Sequence, residues 1–188
     1  MARPKSDEKR SAILMAAAHV IVKEGLGAPT ATIAREAGVA NGTVFTYFET
    51  KADLFNQVYL ELKSETAAAA MADVPPRASF RTQFFHVWSN WTHFAAAHPH
   101  KRRALALLGV SEDITKATHA QAHQAMADLG GLFERSRASG PLRDAPAAFV
   151  MSLMNSVAEA TIDMMVHDRK HAEAHCKMGY DALWRMVG

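Results

Sequence analysis

Three groups of side chains have types and spacings that chemistry can use. Over residues 41–48 the outward positions Asn41, Thr43, Thr46 and Tyr47 put short polar groups on one face of a short helix, with Lys51 just beyond it. Such groups suit hydrogen bonding to base edges and phosphates when a helix lies in a major groove. In the second group Phe84, Trp88, Trp91 and Phe94 recur at steps of three and four, which makes one aromatic stripe along a helix. A stripe of this kind is either core or, with Met151, Met154, Met164 and Met165 facing it, the wall of a cavity for apolar or cationic aromatic ligands. The third group is His167, His171 and His175, at steps of four beside the single thiol, Cys176. On one continuous helix that is metal-ligand spacing. However, Asp168, Arg169 and Lys170 read as a loop that breaks the face, so a solvated or dimer-flanking histidine row is expected, with no metal site and no cofactor.

The elements that must position these groups are all helical. Periodicity of three and four runs through nearly the whole chain, and proline and glycine fall between segments. About nine helices are expected: 6–24, 30–37, 41–48, 50–72, 77–97, 101–110, 115–139, 144–167 and 171–187. Gly38 is placed to end the second helix in the left-handed conformation, and Thr50 with Asp53 forms a capping box at the fourth. Pro75 and Pro76 make the clearest break. The expected domains are 1–52 and 53–188.

With 188 residues, 49% hydrophobic and 21% charged, the chain can bury a core, which excludes a disordered tail. The net charge of +2 names no partner. One cysteine allows no internal disulfide framework and fits a reducing, cytoplasmic compartment. Basic residues ahead of the apolar run at 12–22 imitate a signal peptide, but that run ends on Lys23 and Glu24 without a small-residue cleavage site. The later apolar stretch at 147–166 is interrupted by Asn155, Glu159 and Asp163, so no membrane span is expected. No nucleophile elbow, glycine-rich phosphate loop or HExxH motif occurs, and Cys176 sits in a His-rich, surface-like stretch. An enzyme is therefore not expected.

The segment 30–51, TATIAREAGVANGTVFTYFETK, has the arithmetic of a helix-turn-helix. Ile33, Ala34 and Ala37 face inward on its first helix, Val44 and Phe48 on its second, and Val39 plugs the angle between them. The segment resembles the TetR family of transcriptional regulators, most closely through IAREAGVANGTVFTYFETKADLF at 33–55. From the start through Lys63 it is similar to RamR-type repressors of multidrug efflux. That resemblance implies an N-terminal three-helix DNA-binding domain and a C-terminal ligand-binding and dimerisation domain. It makes residues 41–48 the recognition helix, puts Thr43 and Tyr47 at DNA-contacting positions and gives Lys51 a phosphate. Arg3 and Lys5 on the leader add minor-groove or phosphate contacts, and Thr32, Arg35 and Gly42 complete the DNA-contacting set.

The same resemblance places Tyr59 and Trp88 in an effector site, and Phe84, Trp91, Phe94, Met151, Met154 and Asn155 are the further candidates. The last two helices carry more apolar face than a monomer needs, which suggests a homodimer through them. The expected function is a regulator, most simply a repressor released from a palindromic operator of double-stranded DNA by a small, largely apolar or aromatic effector. A metal-sensing DNA-binding regulator, and a metal-binding helical enzyme, stand as the alternatives.

Overall fold

The computed structural model describes residues 5–125, 127–137 and 140–188. Among these residues ten α-helices and a 3-10 turn form the whole regular structure, and no strand occurs. In order they are α1 (Lys5–Glu24), α2 (Thr30–Glu36), α3 (Asn41–Tyr47), α4 (Lys51–Met71), α5 (Phe80–Ala97), α6 (Pro99–Gly109), α7 (Lys116–Ala125), α8 (Ala127–Arg137), α9 (Ala147–His167) and α10 (Ala172–Val187), with the 3-10 turn at Arg169–His171. The single helix expected over 115–139 is present as two stretches, α7 and α8, on either side of Met126, which lies outside the described residues.

Helix boundaries moved where proline chemistry was underweighted. Pro99 opens α6 instead of closing α5, as suits a residue with fixed φ and no N–H to waste in a first turn. Pro146 precedes α9 as its N-cap, so that helix starts at Ala147 and not at 144; the residue before a proline disfavours the helical conformation. α5 starts at Phe80 because Ser79 caps it, its hydroxyl accepting from the Thr82 N–H at 3.3 Å. The Gln83 side chain donates to the carbonyls of Pro75, Pro76 and Ala78, which holds the preceding turn, itself closed by the Ala78 N–H on the Pro75 carbonyl at 3.2 Å.

The chain divides into two compact units, Met1–Glu65 with Pro99–Ala125, and Thr66–His98 with Met126–Gly188. The boundary expected between 52 and 53 falls within the first. The core of that unit is built on Ile13, Ala17, Ile21, Ile33, Val44, Phe48, Leu54, Phe55, Val58 and Leu108. It joins the helix-turn-helix to α1, the start of α4, and α6, so α3 is held by apolar burial on its inner face alone.

The core of the second unit gathers Phe84, Trp88, Val150, Ala158, Ile162, Met165, Cys176 and Leu183. Here α10 lies close on α9: a Cβ at Gly179 would run into the Thr161 side chain. Cys176 is 1% exposed, which corrects the expectation of a surface-like stretch. It occupies the inner face of α10, where its sulfur meets the Thr92 hydroxyl at 3.4 Å. Among the described residues α9 alone is long and apolar enough to cross a membrane by length and composition, with a third of the apolar window buried; its Asn155, Glu159 and Asp163 are exposed.

Candidate nucleic-acid interface

The turn between α2 and α3 is a local consequence of sequence. The Gly38 N–H donates to the Arg35 carbonyl at 3.2 Å and the Val39 N–H to the Ala34 carbonyl at 3.0 Å. These two bonds close a helix in a Schellman end, which requires the residue after the C-cap to be left-handed. Gly38 has φ +67°, a conformation that costs glycine nothing. Val39 is half-buried against the core and fills the corner.

On α3, Val44 and the following Phe48 are buried, while Asn41, Gly42 and Thr46 are exposed and Thr43 and Tyr47 are half-exposed. The N-cap is Ala40, with no side-chain cap bond, so Asn41 stands at the first helical position with its amide outward. Thr46 turns its hydroxyl back to the Gly42 carbonyl at 3.3 Å. The Tyr47 ring packs in part against the core, 6.5 Å from Phe48, and so presents one edge to solvent. Phe45, 46% exposed, adds an apolar contact surface to the same short helix.

Thr50 caps α4 as expected, accepting from the Asp53 N–H at 3.0 Å; the Asp53 carboxylate reaches back to the Glu49 N–H at 3.2 Å. Lys51 opens the helix, its amine 5.3 Å from the Phe55 ring, which orients it without neutralising it. Thr32 is half-exposed and Arg35 exposed on α2. Lys5 is the first residue of α1, and Arg3 lies outside the described residues. Arg10, which sequence reasoning left aside, donates to the Gln57 side chain at 2.8 Å and lies over Phe48, tying α1 to α4 behind the helix-turn-helix.

Of the effector candidates, Tyr59 belongs to the first unit. Its hydroxyl lies 3.4 Å from His119 Nδ1, and the Lys63 amine stands 5.5 Å from its ring. Burial raises the Tyr59 hydroxyl above its ordinary pKa and lowers the Lys63 amine below its own. The other candidates belong to the second unit. Phe84, Trp88 and Met154 are buried there; Trp91 and Phe94 are half-buried; Met151 and Asn155 are exposed on α9. The Trp88 indole donates to the Cys176 carbonyl at 3.0 Å, and Phe84 packs within 6.2 Å of both Tyr180 and Trp184. Trp184 lies on the apolar face expected of the last helix, whereas Tyr180, one step of four before it, was not anticipated. Burial pushes the Tyr180 hydroxyl up to about 12, and it donates to the Arg81 carbonyl at 2.7 Å.

Two histidines of the row, His171 and His175, share one carboxylate. Asp168 receives His171 Nδ1 at 2.9 Å and His175 Nε2 at 3.1 Å, and these hydrogen bonds hold its carboxyl below the usual range. Among the described residues no three His, Cys, Asp or Glu side chains stand together as metal ligands.

Residues 13–58 match the family model described as bacterial regulatory proteins, tetR family. The fold is similar to a protein described as a tetR family transcription regulator from Shewanella sp. PV-4, at 29% identity and a TM-score of 0.83, over 96% of this chain and 98% of that one. A TetR family regulator from Marinobacter aquaeolei VT8 has the same score and coverage at 20% identity. At 16% identity and a TM-score of 0.69 the fold also matches the regulator FadR from Bacillus subtilis, solved with stearoyl-CoA, over 92% of this chain and 96% of that one.

Proposed function

We propose, from the premise that the chain is a DNA-binding transcription regulator of the TetR family and not an enzyme, that it is a dimeric repressor released from a palindromic operator by a small, largely apolar or aromatic effector. The observation that carries this reading is α3: a short helix anchored by Val44 and Phe48 whose other face offers Asn41, Thr43, Thr46 and Tyr47 to the outside. Lys51 at the start of α4 supplies a phosphate contact, helped by the helix N-terminus beside it. Thr32, Arg35 and Gly42, with Arg3 and Lys5 on the leader, complete the proposed interface. The segment 30–51 carries no net charge, so affinity rests on a few placed cations and neutral donors, and the salt dependence per subunit is modest.

Two recognition helices reach successive major grooves only when about 34 to 36 Å apart, which requires a dimer. The proposed dimer face is that of α9 and α10, where Phe149, Met151, Met164 and Met178 are all more than a third exposed. In the second unit the half-buried rings of Trp91 and Phe94 are the accessible part of the proposed effector surface, backed by Phe84, Trp88 and Met154, with Met151 and Asn155 on α9. Tyr59 is a proposed effector contact of the first unit. Closeness to RamR-type repressors, and a cytoplasmic location, belong to the same reading.

The test is a gel-shift titration on palindromic fragments from the gene's own upstream region. Lys51→Ala weakens binding to every DNA sequence and lowers the salt slope by about one, whereas Thr43→Ala changes which sequence is preferred. No sequence-selective shift by the purified protein would end the proposal.

A further inference from the structure

The first unit carries a groove of about 620 Å³ whose walls come from α1, the end of α2, α4 and the start of α6. It is separate from the α5 stripe, since none of the stripe residues lines it. Its apolar lining includes Met15, Ala18, Val58 and Leu62. Met15 is 65% exposed, an apolar side chain left on the solvent side of α1. The volume lies within the range of about 300 to 1,000 Å³ usual for small-molecule sites.

Charge decides what such a groove takes. Three carboxylates line it, Glu36, Glu61 and Glu65, against one ammonium, Lys101, and two imidazoles, His19 and His100. Glu65 is engaged with Lys101 at 2.7 Å and Glu36 with His19 at 2.9 Å. Glu61 has no hydrogen bond or ion pair among the described residues. With the imidazoles neutral the lining is negative by two charges, and the uncommitted one stands on α4 beside apolar surface. An anion is repelled by this lining, whereas a cation gains a Coulomb attraction to it that a neutral molecule does not. A divalent metal finds no ligand cluster among the described residues.

We propose that this groove is a second ligand site, independent of the effector reading above, that takes an organic monocation with an apolar body. The body lies on Met15, Ala18, Val58 and Leu62, and the positive charge is held by Glu61. A ligand seated there touches α1, α2, α4 and α6 together, the helices that hold α3 in place.

The experiment is calorimetric titration of the full chain, without DNA, using two probes of one shape and opposite charge, tetraphenylphosphonium and tetraphenylborate. The expected result is one phosphonium per chain and clearly weaker borate binding. Glu61→Gln, an exposed and structurally mild change, weakens the phosphonium by about three- to fivefold, the scale of one partly exposed ion pair, and does not weaken the borate. Met15→Lys weakens the phosphonium as well, through the charge it brings into the groove. Equal binding of the two probes, or no binding of either, overturns the proposal. So does phosphonium binding that is lost in Trp91→Ala and kept in Glu61→Gln, because the cation would then sit on the aromatic stripe of the second unit.

Discussion

In the second unit α10 lays Tyr180 and Trp184 against Phe80, Phe84 and Phe85 of α5, with ring centroids 4.9 to 6.2 Å apart, whereas in the first unit α1 meets α4 and α6 partly across alanines and leaves a groove of about 620 Å³. The aromatic stripe looked like a cavity wall because four large rings on one face are hard to pack. One end of it is packed, because Phe84 meets Tyr180 and Trp184, which have a step of four of their own, and offset rings interlock, while Trp91 and Phe94 stay half-buried. In the first unit a groove opens where the short side chains of Ala12, Ala16, Ala18 and Ala37 line it. Side-chain size on both facing helices decides where a cavity opens, and the size on one helix does not.

Three experiments break or sharpen that comparison. The largest effect belongs to Trp88→Ala, which removes a 2% exposed indole and its hydrogen bond to Cys176. A loss of about 3 to 5 kcal/mol is expected from chemical denaturation. A loss below about 1 kcal/mol would mean that the stripe is loosely packed and that the cavity belongs in the second unit after all.

Next comes one substitution made in both units. Gly179→Ala drives a methyl into Thr161 at the α9 and α10 contact and should cost about 1 to 3 kcal/mol by overpacking. Gly38→Ala meets nothing within 4 Å, yet should cost about 1 to 2 kcal/mol because φ is +67°. A second change to Thr161→Ala, which removes the hydroxyl and the methyl that the new Cβ meets, should relieve part of the first loss and cannot touch the second. Urea midpoints of the four variants distinguish crowding from backbone strain.

The smallest effect is electrostatic. The Asp168 carboxyl is held below its ordinary value of 3.8 by His175 and His171, so its contribution is present above that pH and fades as pH falls through the lower folded value. Asp168→Asn should therefore be less stable than the parent at about pH 5, and the two urea midpoints should converge as the solution is acidified below 3.8. A difference that stays constant to low pH would assign the effect to packing.

What could be read from sequence was what is decided locally. Gly38 as a helix end, Thr50 as a cap and the inward set Ile33, Val44 and Phe48 depend on neighbours a few residues away, and each stands as expected. The starts of α6 and α9 fall two or three residues from the expected 101 and 144, because Pro99 opens α6 and Pro146 stands as the N-cap of α9. The groove and the role of Tyr180 were out of reach, since both depend on which distant helix crosses which. Met15 was the one local clue, an apolar residue on the polar side of an otherwise amphipathic α1.

Cys176 also gives the molecule a built-in clock. Its thiol is shielded on the inner face of α10 and burial raises its pKa, so an alkylating reagent reaches it only when the second unit opens. Because it is the only cysteine in the chain, the rate of that single labelling reaction reads the opening frequency of one unit without interference from the other. A second cysteine introduced on the outer face of α3 would then react on its own fast timescale, so both units could be followed in one sample.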